Sequence, residues 1–377
     1  MTSESLLDSP SDLEGADPGG MLRAIASGAA QVREAAAFCL EADVARLASE
    51  DLPRSVVVLG MGGSAIAGDV LAAVAGSACP VPVISHRGHD LPTWIGAADL
   101  VIAVSCSGTT EETLSALDEA VRRGCRLLVV GAAGSPVEEL AARGRAVFVP
   151  VSQGRQPRAS VFALATPLLV AGDALGLLSC SREEVEATAV LLEQLASRHR
   201  PAAETVLNPS KTLAVSLQGS LPVVWGASPL AGVAAYRFAC QLNENSKHPA
   251  VWGVLPEAGH NQVVALDGPF AGGTAPADIF ADPVDDFAEE RTRMHLVLLR
   301  DTDEHPAVAR RALVVRDLAR SRRVDVSELQ AEGSSPFQRI ASLIALADWT
   351  SAYLGLASGI DPTPVQAIDE LKSYVRA

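Results

Sequence analysis

The sequence predicts an α/β protein made of two doubly wound domains, each a parallel sheet flanked by helices. Three observations carry this. At 377 residues the chain exceeds one ordinary core and suits two. Hydrophobic residues make up 48% of it and aromatics only 4%, with alanine abundant, which favours tightly packed helices over a β-sandwich. Short β-branched runs alternate with helical stretches in both halves, as in a parallel sheet covered on both faces.

Residues 1–20 form an acidic N-terminal segment without the basic-then-apolar order of a signal sequence. Residues 21–178 are the expected first domain. An Ala-rich pattern predicts a helix from Met21 to about Ala48, and "RSVVVLGMGGSAIAGDVLAAVAG" then reads as strand, glycine turn and helix. The runs "PVPVIS", "DLVIAVS", "CRLLVVG" and "AVFVPV" read as further strands, with a helix from Thr110 to about Arg123 between the second and third. The longest apolar stretch, Phe162 to Leu178, is interrupted by Pro167 and Asp173 and falls short of a membrane span.

Residues 179–210 change character. The charged helix "SREEVEATAVLLEQLASRHR" and a Pro- and Asn-punctuated stretch ending in "NPSK" mark a linker region. Residues 211–377 then repeat the grammar: strands at "LPVVWG", "PAVWGV", "MHLVLLRD" and "RRVDVSELQ", a helix at "SPLAGVAAYRFACQLNEN", and closing helices from Pro336 to Ala357 and from Pro364 to Val375. Gly268 to Glu289, rich in Gly, Ala, Pro and Asp, reads as an irregular surface loop.

A net charge of -15 with no Lys/Arg-rich run argues against a nucleic-acid surface, because phosphate backbones need clustered cations. Neither a nucleic acid nor a membrane is an expected partner. The six cysteines lie far apart, without CxxC spacing or a nearby histidine pair, so they read as reduced, mostly buried thiols of a cytoplasmic protein rather than disulfides or a zinc site.

Two strand-to-helix turns stand out. "LGMGGSAIAGD" puts Gly60, Gly62 and Gly63 at a turn with Ser64 where the helix begins. This serves either a tight turn with a serine cap or an approach of backbone N–H groups to an anion. Its spacing fits neither the dinucleotide fingerprint nor a P-loop. In "SCSGTTEET", Thr109 and Glu112 match a capping box, but a box needs one hydroxyl. The surplus, Ser105, Ser107 and Thr110 around Gly108, suits a phosphate monoester at a helix start.

In the second half, Ser228 and Pro229 read as N-cap and first residue of a helix whose last turn holds Glu244. A carboxylate there opposes the macrodipole, so Glu244 is either a solvated helix-end charge or a group with another task. His260, between Gly259 and Asn261 on a loop, and Lys372, near the C-terminus, would by themselves be solvated surface groups.

The pair "GMGGSAIAGD" and "SCSGTTEET" resembles the sugar isomerase (SIS) domain. With "QLNENSKHPAVWGVLPEAGHNQV" and "GIDPTPVQAIDELK", the chain from Met21 onward resembles the bifunctional phosphoglucose/phosphomannose isomerases, built from two SIS domains. The resemblance implies an aldose-ketose isomerase that interconverts glucose 6-phosphate, mannose 6-phosphate or both with fructose 6-phosphate through a cis-enediol, using neither cofactor nor metal. It implies a phosphate held by Gly63, Ser64, Ser105, Ser107 and Thr110. It makes Glu244 the C1–C2 base, gives ring opening to His260 with Lys372, and sets Arg158 of "QPRAS" against the intermediate. Glu257 is a weaker candidate for orienting His260.

The family resemblance also implies a homodimer in which His260 reaches the neighbouring subunit's site. Two departures stand: Thr109 replaces a common Asn, and the acidic leader has no counterpart. The alternative reading is a non-catalytic sugar-phosphate sensor, which would keep the hydroxyl turns without needing Glu244, His260 or Lys372.

Overall fold

The computed structural model describes residues 6–49, 51–272 and 292–375. The part of the loop expected over 268–289 that begins at 273 lies outside the described residues.

In chain order the α-helices are α1 (Pro10–Ala16), α2 (Met21–Ala26), α3 (Gly28–Glu41), α4 (Gly63–Ala75), α5 (Glu111–Arg122), α6 (Pro136–Arg143), α7 (Val161–Ala174), α8 (Arg182–His199), α9 (Pro209–Leu217), α10 (Pro229–Gln241), α11 (Pro306–Ser321), α12 (Pro336–Ala357) and α13 (Gln366–Val375). The strands are β1 (Val56–Leu59), β2 (Val83–His86), β3 (Leu100–Ser105), β4 (Arg126–Ala132), β5 (Val147–Val151), β6 (Leu221–Gly226), β7 (Val251–Val254), β8 (Met294–Arg300) and β9 (Asp325–Gln330). They form two parallel sheets, ordered β2-β1-β3-β4-β5 and β7-β6-β8-β9.

By internal packing the chain divides into two units. One comprises residues 23–197 and 333–345 and carries the first sheet; the other comprises residues 1–22, 198–332 and 346–377 and carries the second.

Strand position follows from burial. The central strands β1 and β3 are buried at every residue, as uninterrupted apolar runs must be when helices cover both faces. The edge strands β2 and β9 have no fully buried residue and carry polar side chains such as His86, Asp325 and Glu328. Each unit has its own apolar core, one around Val57, Val101, Leu117 and Val129, the other around Trp225, Leu255, Leu296 and Leu298.

Several local expectations are corrected. The helix expected over Met21–Ala48 is broken into α2, α3 and a 3₁₀ turn, Val44–Ser49, because Ser27 hydrogen-bonds back to Ala24 O (2.7 Å) and Asp43 takes a positive φ. The helices α6, α9 and α11 start at Pro136, Pro209 and Pro306, at the first helical position where a missing N–H costs nothing. Those starts are legible signals that the strand pattern overshadowed.

The apolar stretch from Phe162 lies in the 14-residue α7, with Pro167 inside it. Among the described residues, the helix long and apolar enough to cross a membrane is instead α12, and 89% of its apolar window is buried within the protein, as in a core helix.

The N-terminal segment is tied into the second unit. The buried Lys211 ammonium donates to the carbonyls of Leu7, Pro201 (2.7 Å) and Ala203 (2.7 Å), and Asp8 accepts from the backbone and hydroxyl of Thr205 (both 2.7 Å). Asp17 caps α2 through the amides of Met21 and Leu22 (both 2.8 Å).

Candidate active site

Sheet order brings the two hydroxyl turns together. In the order β2-β1-β3 the chain leaves β1 for one side and returns on the other, so β1 and β3 flank a topological switch point. Their register, Val56↔Leu100 to Leu59↔Ala103, sets both C-terminal ends at one edge of the sheet. Helices α4 and α5 therefore begin side by side.

The two turns are bonded to each other: the amide of Cys106 donates to Ser64 Oγ (3.4 Å). Ser105 Oγ donates to Thr110 Oγ1 (3.2 Å), and the amide and hydroxyl of Thr109 both donate to Ser107 Oγ (3.3 and 3.2 Å). Ser64 and Ser105 are buried, Thr110 half-buried and Ser107 exposed, so the hydroxyls run from the sheet edge to the surface. The N-cap residues, Gly62 for α4 and Thr110 for α5, make no side-chain capping hydrogen bond. This corrects the capping role expected of Thr109: Thr110 holds the cap position, and the Thr109 hydroxyl is spent on Ser107.

Gly108, at φ +69°, holds the β3 turn closed. A Cβ there would lie 2.0 Å from Ser135 Oγ at the start of α6, and the Gly108 carbonyl accepts from the Val137 amide (3.1 Å). A third wall comes from the 3₁₀ turn Pro157–Ala159, which carries the half-buried Arg158; Pro157 O would lie 3.8 Å from a Cβ at Gly63. Burial pushes the Cys106 thiol up, against the opposing effects of Ser160 and Arg155, so it stays uncharged between the two serines. Two helix N-termini, four hydroxyls and an arginine gather at one sheet edge, a chemistry that can favour an anion.

The second sheet has a switch point too, between β6 and β8, but it is filled by the protein's own anion. Ser228 Oγ caps α10 by accepting from the Ala231 amide (3.0 Å) and donates to the buried Asp301 carboxylate (3.0 Å).

Glu244, His260 and Lys372 all lie in the second unit. Glu244 is half-buried and sits not in the last α-turn but in a π-helical turn, Leu242–Ser246, that continues α10. Such turns gather at functional sites. Lys247, at φ +57°, donates to the carbonyls of Glu244 (2.6 Å) and Pro364 (2.8 Å), joining this turn to the segment that leads into α13.

His260 ends the 3₁₀ turn Glu257–His260 and is exposed; Arg311 Nη1 donates to its Nε2 (3.1 Å). Because arginine has no acceptor, Nε2 accepts in this contact. Glu257 does not orient His260: its carboxylate accepts from Asn261 Nδ2 (2.9 Å). Lys372 is exposed, as are the other residues of α13 from Gln366 to Tyr374.

Residues 207–375 match the family model described as the bacterial phospho-glucose isomerase C-terminal SIS domain, a match that contains Glu244, His260 and Lys372. The chain is 34% identical over 325 residues to a bifunctional phosphoglucose/phosphomannose isomerase of Caldicellulosiruptor bescii, covering 86% of this chain and 90% of that one. The chain belongs to the bifunctional phosphoglucose/phosphomannose isomerase family. A second relative of that name, from Aquifex aeolicus, is 30% identical over 86% of this chain and 91% of its own. The fold is also that of a solved Thermus thermophilus protein, with a TM-score of 0.70 at 16% identity over 97% of this chain and 94% of that one.

Sequence reasoning missed Lys247 and Arg311, which donate to the Glu244 backbone and the His260 ring. The signal for Lys247 was present, since "NENSKHP" sets a lysine three residues after the glutamate. For Arg311, 51 residues from His260, there was none.

Proposed function

We propose that the chain is an aldose-ketose isomerase that interconverts glucose 6-phosphate, mannose 6-phosphate or both with fructose 6-phosphate. The observation that carries this is the pair of bonded hydroxyl turns at the β1/β3 switch point, in a chain of this family. The phosphate is held by the Gly63 amide, the hydroxyls of Ser64, Ser105, Ser107 and Thr110, and both helix N-termini.

His260, assisted by Lys372, opens the ring by protonating the ring oxygen as the anomeric hydroxyl loses its proton. Glu244 then takes the C2 proton of the open aldose as O2 passes its own proton to O1, leaving a cis-enediol deprotonated at O2; the proton returned from Glu244 to C1 makes C2 the ketone. Arg158 stabilises negative charge on the enediol oxygens. Since the enediol has no C2 stereocentre, one base serves both epimers. In this reading the protein is cytoplasmic and works as a homodimer, the site of one protomer being completed by His260 of the partner subunit.

Coupled assay of fructose 6-phosphate formed from each epimer, in a metal chelator, tests the proposal. Turnover of at least one is expected. Binding of both with conversion of neither would replace the enzyme with a sugar-phosphate sensor.

A further inference from the structure

Glu244 stands on a π-helical turn, and that turn is fixed from behind by a buried polar seam between α10 and the second part of α12. Arg237, Gln241 and Asn245 recur every four residues, so they share one face of α10 and its continuation. Opposite them, the Asp348 carboxylate accepts from Arg237 Nε (2.9 Å) and Nη2 (2.7 Å) and from Gln241 Nε2 (3.0 Å). One turn further along α12, Ser351 Oγ accepts from Asn245 Nδ2 (2.9 Å) and donates to Asp348 O (2.8 Å). All five side chains are buried. Gly355 completes the contact: a Cβ there would come within 2.8 Å of Asn245 O.

An apolar seam would bury the same surface without desolvating a charge pair, so stability alone is a poor reason for this arrangement. Its distinguishing property is register. Each side chain has a directional partner, and the last of them, Asn245, is the residue next to Glu244. A π turn holds one more residue than an α turn, and each residue rotates the next side chain by about 100°. A relaxed turn would therefore aim Glu244 elsewhere.

We infer that Asp348 and Ser351 are positioning residues that act through Gln241 and Asn245 to fix the direction of Glu244. The inference rests on the reading of Glu244 as the base. Ser351→Ala removes one hydrogen bond to Asn245 and leaves the ion pair; Thr350→Val, an isosteric change at a neighbouring buried hydroxyl on the same helix, is the control for packing.

Steady-state kinetics with glucose 6-phosphate and mannose 6-phosphate should show kcat of Ser351→Ala lowered about tenfold or more with KM near wild type, since small misplacements of a reacting group are costly. Thr350→Val should keep wild-type kcat. If Ser351→Ala retains wild-type kcat, or if both variants lose activity alike, the positioning inference is overturned. Glu244→Gln, measured alongside, separates the two ideas: an active Glu244→Gln removes the base itself, whereas an inactive one beside an unimpaired Ser351→Ala removes only the positioning.

Discussion

Gly108 is the residue on which the cradle is most tightly constrained, by a positive φ and by the 2.0 Å approach a Cβ would make to Ser135 Oγ. Gly108→Ala must relieve both by moving the β3 turn, at a strain of about 1–3 kcal/mol. Titration calorimetry with fructose 6-phosphate should show binding at least about tenfold weaker. Wild-type affinity would mean that the turn is not part of the cradle. At this scale the sequence was informative about residue types and less so about partners. The excess of hydroxyls around Gly108 pointed to a ligand, but the share of each did not: Thr109 and Thr110 are adjacent and chemically alike, and only the backbone path decides which one takes the N-cap position of α5. Glu257 was a weak candidate for a related reason, since Asn261, one residue beyond His260, competes for the same carboxylate.

Among the elements, strands were the most legible, because burial on both faces enforces continuous apolar runs at β1, β3 and β8. The π turn at Leu242–Ser246 was not. A helix pattern continues through it, and the extra residue is accommodated by tertiary partners on α12 that lie about a hundred residues away in sequence. Helix α8 carries a second element-scale consequence. His199, in its last turn, is buried, and its Nδ1 lies 3.0 Å from Ser210 Oγ. Burial depresses this imidazole from 6.5 to about 4, outweighing the opposing effect of the Asn208 side chain.

The unfolded chain therefore binds a proton on His199 below about pH 6.5 that the folded chain refuses until about pH 4. Stability is lost as pH falls through that window, by about 3 kcal/mol at its lower end. Burial depresses His295 in the same direction. Denaturant titrations across pH 4 to 6.5 should show this slope, and His199→Gln should flatten it by the His199 share. An unchanged slope in the variant would show that His199 is not the group responsible.

For the whole molecule, the alternation of strands and helices revealed two parallel sheets, but not their order. The order is what matters for function: it creates a switch point in each sheet, leaves the one between β1 and β3 lined with hydroxyls, and fills the one between β6 and β8 with Asp301. The sequence pattern alone treated the halves as equivalent in kind. The hydroxyls of the first switch point are legible as a motif, whereas the carboxylate after β8 at the second is one that no periodicity reveals. The candidate residues divide between the units: Ser64, Ser105, Ser107, Thr110 and Arg158 lie in the first, and Glu244, His260 and Lys372 lie in the second, on the Leu242–Ser246 turn, the Glu257–His260 turn and α13.

The central claim, that Glu244 moves the proton while the hydroxyl turns hold the phosphate, is tested most directly by Glu244→Gln, with turnover and fructose 6-phosphate affinity measured on the same preparation. Turnover should fall by about 10²–10⁴-fold, the usual contribution of a general base, while affinity stays within about threefold of wild type. Near-wild-type turnover in this variant would contradict the account.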